Sequence, residues 1–217
     1  MTITPRHPFC APSALLATLA LTLACIGGCS SEGEKMVESY ASTRETVAKA
    51  QRQVDETLVS LHRLRSTPVP AVKDGFREYK GDVEKLEAQG ADAKKRAAVL
   101  RDRQASHIQA WETEVAQLKD PAIKATMEQR RAALPSNYKL LMMYADDVRK
   151  AYGPFLTGNK DVVQALSLDI SPAAIASLSP AIDGVLLNGK QLQEKLALMQ
   201  IALNNMANGV SPIGAMD

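Results

Sequence analysis

Apolar residues in this chain recur at alternating spacings of four and three over runs far longer than an ordinary helix. From residue 36 to 64 the alternation takes in Met36, Tyr40, Thr43, Val47, Ala50, Val54, Thr57, Leu61 and Leu64. Residues three and four apart share one face of a helix, so a sustained seam of this kind is the a/d pattern of a coiled coil or a long bundle helix. Arg44, Glu45, Lys49, Arg52, Asp55 and Glu56 occupy the other faces. Ser66-Thr67-Pro68-Val69-Pro70 ends the run, because proline lacks the amide donor and disfavours helix in the residue before it.

The alternation resumes through Val72, Phe76, Tyr79, Val83, Leu86, Gly90, Ala93, Ala97, Leu100, Gln104, His107, Trp111, Glu114 and Leu118, with no proline before Pro121. That is a helix of roughly 70 Å at about 1.5 Å per residue. Gly90, Ala93 and Ala97 are small in succession on the seam, which predicts a tight crossing with a partner helix, whereas Gly81 lies off it. The polar seam positions Gln104, His107 and Glu114 suggest a shift of the seam toward Ile108 and Val115. Asp120-Pro121 reads as an N-cap followed by proline at the first helical position. The next stripe is Ile123, Met127, Leu134, Tyr138, Leu141, Ala145, Val148 and Tyr152. Pro135 is expected to kink or divide it, and Gly153-Pro154 to bend it before Phe155, Val162, Val163 and Leu166. Ser171-Pro172 and Ser179-Pro180 are two further helix starts. The last helix passes through Ile182, Val185, Gly189, Leu192, Leu196, Met199, Leu203 and Met206 and stops near Asn208-Gly209. No strand pattern and no tandem repeat interrupts this order. The fold class is all-α: one elongated antiparallel helical bundle with coiled-coil-like long helices over residues 36–208, followed by a flexible tail, 209–217.

The first 28 residues follow a different rule. Arg6 precedes an apolar stretch, 11–26, and the small residues Gly27 and Gly28 precede Cys29, the layout of a secretory signal. Ile26-Gly27-Gly28-Cys29 resembles the bacterial lipobox, whose cysteine receives lipid. Cys25 is a poorer competing site, and an ordinary cleaved signal with Cys29 free is the bland alternative. The three cysteines are Cys10, Cys25 and Cys29. With Cys29 acylated no thiol is left, which suits an oxidising compartment and excludes a thiol nucleophile or a structural disulfide in the mature chain. Residues 29–35 then read as a lipidated polar tether. By known sorting rules, Ser30 favours the periplasmic face of the outer membrane over inner-membrane retention.

The mature segment resembles the proteobacterial lipoproteins grouped as domain-of-unknown-function family 2959. The resemblance rests on Ala48-Lys49-Ala50-Gln51 and the segment from Ala110-Trp111 to Val115. It extends to Gln129-Arg130-Arg131 before Tyr138, to Tyr152-Gly153-Pro154-Phe155-Leu156, and to Ala174-Ile175-Ala176-Ser177-Leu178. It implies a helical periplasmic lipoprotein and supplies no catalytic residues.

Chemistry-bearing motifs are sparse. Lys and Arg number 26 against 24 Asp and Glu, a net charge of +2, too balanced for an electrostatic nucleic-acid binder. His62 and His107 have no His or Glu three or four residues away to form a ligand pair. His107 sits one turn before Trp111, and both are candidates for partner or ligand contacts, although a hydrogen-bonded bundle histidine and a core tryptophan are the plainer readings. Met142, Met143, Met199 and Met206 offer axial haem ligands in principle, but methionine in helical stripes is ordinarily core filler. No nucleophile elbow, phosphate loop or dinucleotide fingerprint occurs, and Asp146-Asp147 point to different helix faces. No cofactor, metal or catalytic residue is expected. Lys94, Lys95, Arg96, Arg101 and Arg103 form a basic stretch suited to an anionic surface, or else simply a solvated helix face. The expectation is a non-enzymatic scaffold or adaptor, held at a membrane by its N-terminal lipid and binding a protein partner or a second copy through helical faces. The alternative is a carrier or sensor whose bundle encloses an apolar ligand or cofactor beside His107 and Trp111. A pore-forming hairpin would need a long apolar stretch that the mature sequence lacks.

Overall fold

The computed structural model describes residues 31–210; the signal region with Cys29, and residues 211–217 of the tail, lie outside the described residues. The element order is α1 (Glu32–Ser66), a 3-10 turn (Val69–Ala71), α2 (Val72–Gln117), α3 (Pro121–Leu168), the short α4 (Pro172–Ser177) and α5 (Ser179–Val210). Among the described residues there is no strand. The four long helices close a ring: α1 packs on α2 and α5, and α3 packs on α2 and α5. Consecutive long helices are therefore antiparallel neighbours, and the first and last helices meet.

Helix starts follow the capping chemistry. Asp120 accepts from the amides of Ala122 (2.8 Å) and Ile123 (3.1 Å), and Pro121 follows it. Ser171 caps α4 by accepting from Ala174 N–H. α5 takes Ser179 into its own first turn, with Ile182 N–H bonded to the Leu178 carbonyl. α1 begins earlier than the apolar seam suggests. Ser31 and Glu34 form a reciprocal capping box: Ser31 Oγ accepts from Glu34 N–H at 3.1 Å, and the Glu34 carboxylate accepts from Ser31 N–H at 2.6 Å. The segment read as a tether is thus helical from Glu32 onward.

The core follows the seams. Met36, Tyr40, Val54, Leu61 and Leu64 of α1 meet Tyr79, Val83, Leu86 and Leu100 of α2. Tyr138, Leu141, Phe155 and Leu166 of α3, and Ile182, Leu192, Leu196 and Leu203 of α5, complete it. Each helix faces two neighbours, so the buried arc is wider than an a/d stripe and takes in Thr46, Gln53, Ser60, Asp82 and Asn159. Thr46, Gln53, Ser60 and Asn159 donate to backbone carbonyls, while the Asp82 carboxylate pairs with Lys85. Gln53 Nε2 donates to the Asp82 carbonyl (3.2 Å), Thr57 Oγ1 to the Gln53 carbonyl (2.7 Å), and Tyr79 Oη to Asn159 Oδ1 (2.9 Å).

Three expectations are corrected. α3 is not divided at Pro135 and continues as one helix through Pro135 and Pro154. Each ring removes one amide donor and leaves the carbonyl four residues earlier, on Arg131 and Lys150, without its helical partner. Both prolines are exposed, and buried Leu134, Tyr138 and Phe155 hold the helix to the core beside them. Ile123, placed on the apolar stripe, is 53% exposed, because the first turns of α3 have α2 opposite them and little else. The seam of α2 shifts later than the polar positions suggest: Gln104 and His107 stay buried, and only Glu114 gives way to Val115.

The Gly90-Ala93-Ala97 stripe does face α3, but as a groove of 440 Å³ rather than a close backbone crossing. Tyr152 of α3 lies across Gly90 and donates from Oη to the Leu86 carbonyl at 3.0 Å. A Cβ at position 90 would overlap the Tyr152 Oη and Cζ atoms and lie 2.8 Å from Cε1. The tyrosine ring spaces the helices here, which leaves the alanine positions beyond it uncovered.

Candidate functional site

His107 and Trp111 come together near the α2–α3 corner, in a polar cluster assembled from three helices. Helical spacing of four puts both on one face of α2, with the rings edge to face at a centroid distance of 5.5 Å. Antiparallel α3 then brings Tyr138 opposite, its Oη 2.6 Å from His107 Nδ1. α1 contributes Tyr40, which is 1% exposed. Its hydroxyl approaches Tyr138 and Gln104 without completing a hydrogen bond, and Gln104 Nε2 is likewise buried with no partner.

Burial governs the protonation of this cluster. Desolvation lowers the His107 pKa from its ordinary value, opposed by the charges of Glu32 and Glu114. Desolvation also raises the pKa of Tyr138 and of Tyr40. The imidazole is therefore held neutral and both phenols protonated near neutral pH, and His107 Nδ1 and the Tyr138 hydroxyl share a hydrogen bond.

On the open side of His107 is a cavity of 230 Å³ lined by Ala110, Trp111, Val115, Leu118 and Met127, with Ser31, Glu32, Gly33 and Glu114 at its border. Trp111 is half-buried, and its indole N–H donates to the Met127 carbonyl at 3.3 Å. Its polar edge is thereby satisfied while its ring lines the cavity. Glu32 is ion-paired with Lys35. The four methionines weighed as axial ligands do not line this cavity; Met127 does. His62 is exposed on α1, far along the helix from His107's neighbours. Among the described residues no cluster of three or more His, Cys, Asp or Glu is arranged to hold a metal ion.

The basic stretch does not form one patch. Arg96 and Arg103 line a groove of 190 Å³ shared with Lys35, Glu38 and Ser42 of α1. Lys94 and Arg101 line the α2–α3 groove beside Asp146 and Arg149, and exposed Lys95 lies between the two sets.

A further surface, not anticipated from the sequence, lies between α3 and α5. A groove of 310 Å³ is lined by Asn137, Leu140, Tyr144, Leu198, Ile201 and Asn205. Leu140 is 47% exposed and Ile201 57%. Leu187, also exposed, continues the Leu198–Ile201 face up α5 at helical spacing. Among the described residues no helix is long and apolar enough to cross a membrane.

No curated protein and no solved structure matches the chain. Residues 28–208 match the family described as "Protein of unknown function (DUF2959)", in agreement with the resemblance carried by the Trp111 and Tyr152 segments. The match takes in all four long helices and the His107–Tyr138 cluster, and the chain belongs to that family.

Proposed function

We propose that this protein is a lipid-anchored, non-enzymatic scaffold of the bacterial cell envelope, attached through Cys29 at the periplasmic face of the outer membrane. The lipobox-like Ile26-Gly27-Gly28-Cys29 supports the anchor, and the capping box at Ser31 supports a rigid body that begins almost at once after it. The observation that carries the scaffold role is the α3–α5 groove, where Leu140, Leu198 and Ile201 face water with few charges among them. Apolar side chains gathered in this way mark binding surfaces more often than singly exposed ones do. A partner helix laid along the groove would bury them at i, i+3 and i+4 spacing.

Two measurements test the proposal. Cys29→Ser should move the protein from the membrane fraction to the soluble fraction or leave it unprocessed; an unchanged membrane fraction of a correctly cleaved variant refutes the anchor. A photo-crosslinking residue at Leu140 should capture a partner or a second copy in intact cells, and Leu198→Glu with Ile201→Glu should abolish the adduct. A crosslink that survives both charges refutes the groove.

The second reading, a carrier for an apolar ligand beside His107 and Trp111, is favoured by the cavity that both residues line. Its 230 Å³ falls below the about 300–1,000 Å³ usual for small-molecule and cofactor sites. It suits a slender apolar chain rather than a cofactor.

A further inference from the structure

We propose that the cavity beside Trp111 is a slot for an acyl chain carried by the protein's own lipidated Cys29. The inference rests on the anchor reading above and adds a location for part of the lipid.

The geometry at the start of α1 points there. Glu32 lies within electrostatic reach of Arg103 and His107, so α1 begins beside the middle of the last third of α2. Residues 108–117 of α2, about 15 Å of helix, run on past that start together with the first turns of α3. Ser31, the first described residue, therefore stands beside the open inner face of the α2–α3 corner. That face carries Ala110, Trp111, Val115, Leu118 and Met127, and Ser31 and Gly33 stand at its border. Cys29 is two residues before Ser31, and two residues of chain span at most about 7 Å. A lipid on Cys29 would thus be tethered within about 7 Å of Ser31, which lines the slot.

Chemistry and connectivity favour this occupant over others. Ala110, Trp111, Val115, Leu118 and Met127 make half of the lining apolar, and the Trp111 indole nitrogen is already bonded to the Met127 carbonyl. The polar groups of the lining are Ser31, Glu32, Glu114 and His107, and Ser31 and Glu32 belong to the end of α1 from which the chain continues to Cys29. A chain tethered within a few ångströms faces the slot at a high effective concentration, an advantage that a free bilayer lipid lacks. With several acyl chains on one cysteine, seating one in the protein leaves the others in the bilayer.

Trp111 is the chain's only tryptophan and lines the slot, so its fluorescence reports occupancy. The lipidated protein in phosphatidylcholine vesicles is compared with residues 30–217 made without lipid, a chain that keeps every described helix. The expected result is emission at shorter wavelength for the lipidated protein, unaltered when the vesicles are made with dibromo-acyl phosphatidylcholine. Identical emission from the two proteins overturns the slot. Strong quenching by the brominated chains also overturns it, by placing the Trp111 ring in the bilayer. Mass spectrometry of the N-terminal peptide separates the two levels of failure: an unmodified Cys29 overturns the anchor and the slot together, whereas an acylated Cys29 with unshifted emission overturns the slot alone.

Discussion

Replacing Gly90 with alanine sets two opposed effects of similar size against each other. Glycine inside a helix costs about 1 kcal/mol relative to alanine, so the substitution should stabilise α2 by that amount if nothing else changes. The new methyl group, however, would overlap the end of the Tyr152 ring, which rests on the glycine and donates to the Leu86 carbonyl. Either the ring stays and the site is overpacked, at about 1–3 kcal/mol, or it swings into the neighbouring groove and gives up its hydrogen bond, worth about 0.5–1.5 kcal/mol, along with its packing. The net expectation is a loss of about 0–2 kcal/mol, and a larger loss for Gly90→Leu. Gly81 has no heavy atom within 4 Å of a Cβ added there, so Gly81→Ala should show the propensity gain by itself, up to about 1 kcal/mol. A third arm isolates the cause. In a Tyr152→Ala background the obstruction is gone, and Gly90→Ala should become stabilising by about the same amount as Gly81→Ala. Urea unfolding followed by circular dichroism, with the slope unchanged between variants, reads all of these as shifts in midpoint. If Gly90→Ala stabilises the native background as much as Gly81→Ala does, the tyrosine does not occupy the position and the α2–α3 packing is wrong.

Two further outcomes follow from buried or interrupted groups. His107 has a folded pKa below its unfolded value, so the unfolded chain binds the extra proton first; stability is full above the unfolded pKa, about 6.5, and falls as pH drops below it. The urea midpoint should therefore decrease from pH 7.5 to pH 5.5 more steeply in the native protein than in His107→Phe, and equal slopes would remove histidine from the account. Pro135 is exposed inside α3, so Pro135→Ala restores an amide donor to the Arg131 carbonyl without touching the core. The helix gain of up to about 3 kcal/mol exceeds the about 0.4–1 kcal/mol lost by loosening the unfolded chain, and thermal melts should show a higher midpoint.

The long helices were legible because a period near 3.5 persisted over several turns, and no competing pattern does that. The start of α1 was hidden for a simple reason: no apolar residue stands between Cys29 and Met36, although Ser31 and Glu34 stand at capping-box spacing and carried the signal. Whether Pro135 divides its helix was not legible because proline reports a lost donor, and sequence does not show whether water can reach the carbonyl left behind. At the candidate site, His107 and Trp111 were readable as a pair one turn apart. Tyr138 and Tyr40 were not, since they arrive from other helices and their approach depends on how far each helix slides along its neighbour. The basic stretch looked continuous because it is continuous in sequence; around a helix the same residues diverge into two grooves. The α3–α5 groove escaped notice because Leu140, Leu198 and Ile201 lie beside the seams, and apolar residues beside a seam are indistinguishable from its rim until the neighbours are placed.

The placement of the buried polar pairs also dictates how the chain assembles in time. Helical hairpins form from local contacts and fold fast, so α1–α2 and α3–α5 are natural halves. Within the first half, Gln53 and Thr57 already meet the Asp82 carbonyl, so those groups are satisfied before the second half arrives. Two pairs, Tyr79 with Asn159 and His107 with Tyr138, join α2 to α3 and complete themselves only when the halves dock. They lie at different heights along the interface and act as index marks. A slip of one helical turn, about 5.4 Å, would bury four polar side chains without partners, at about 1–3 kcal/mol each. Leucine seams alone tolerate such a slip far better, since one leucine resembles the next. The vernier of this bundle is polar, and removing either pair should yield a protein that still collapses into helices but docks its halves in more than one alignment.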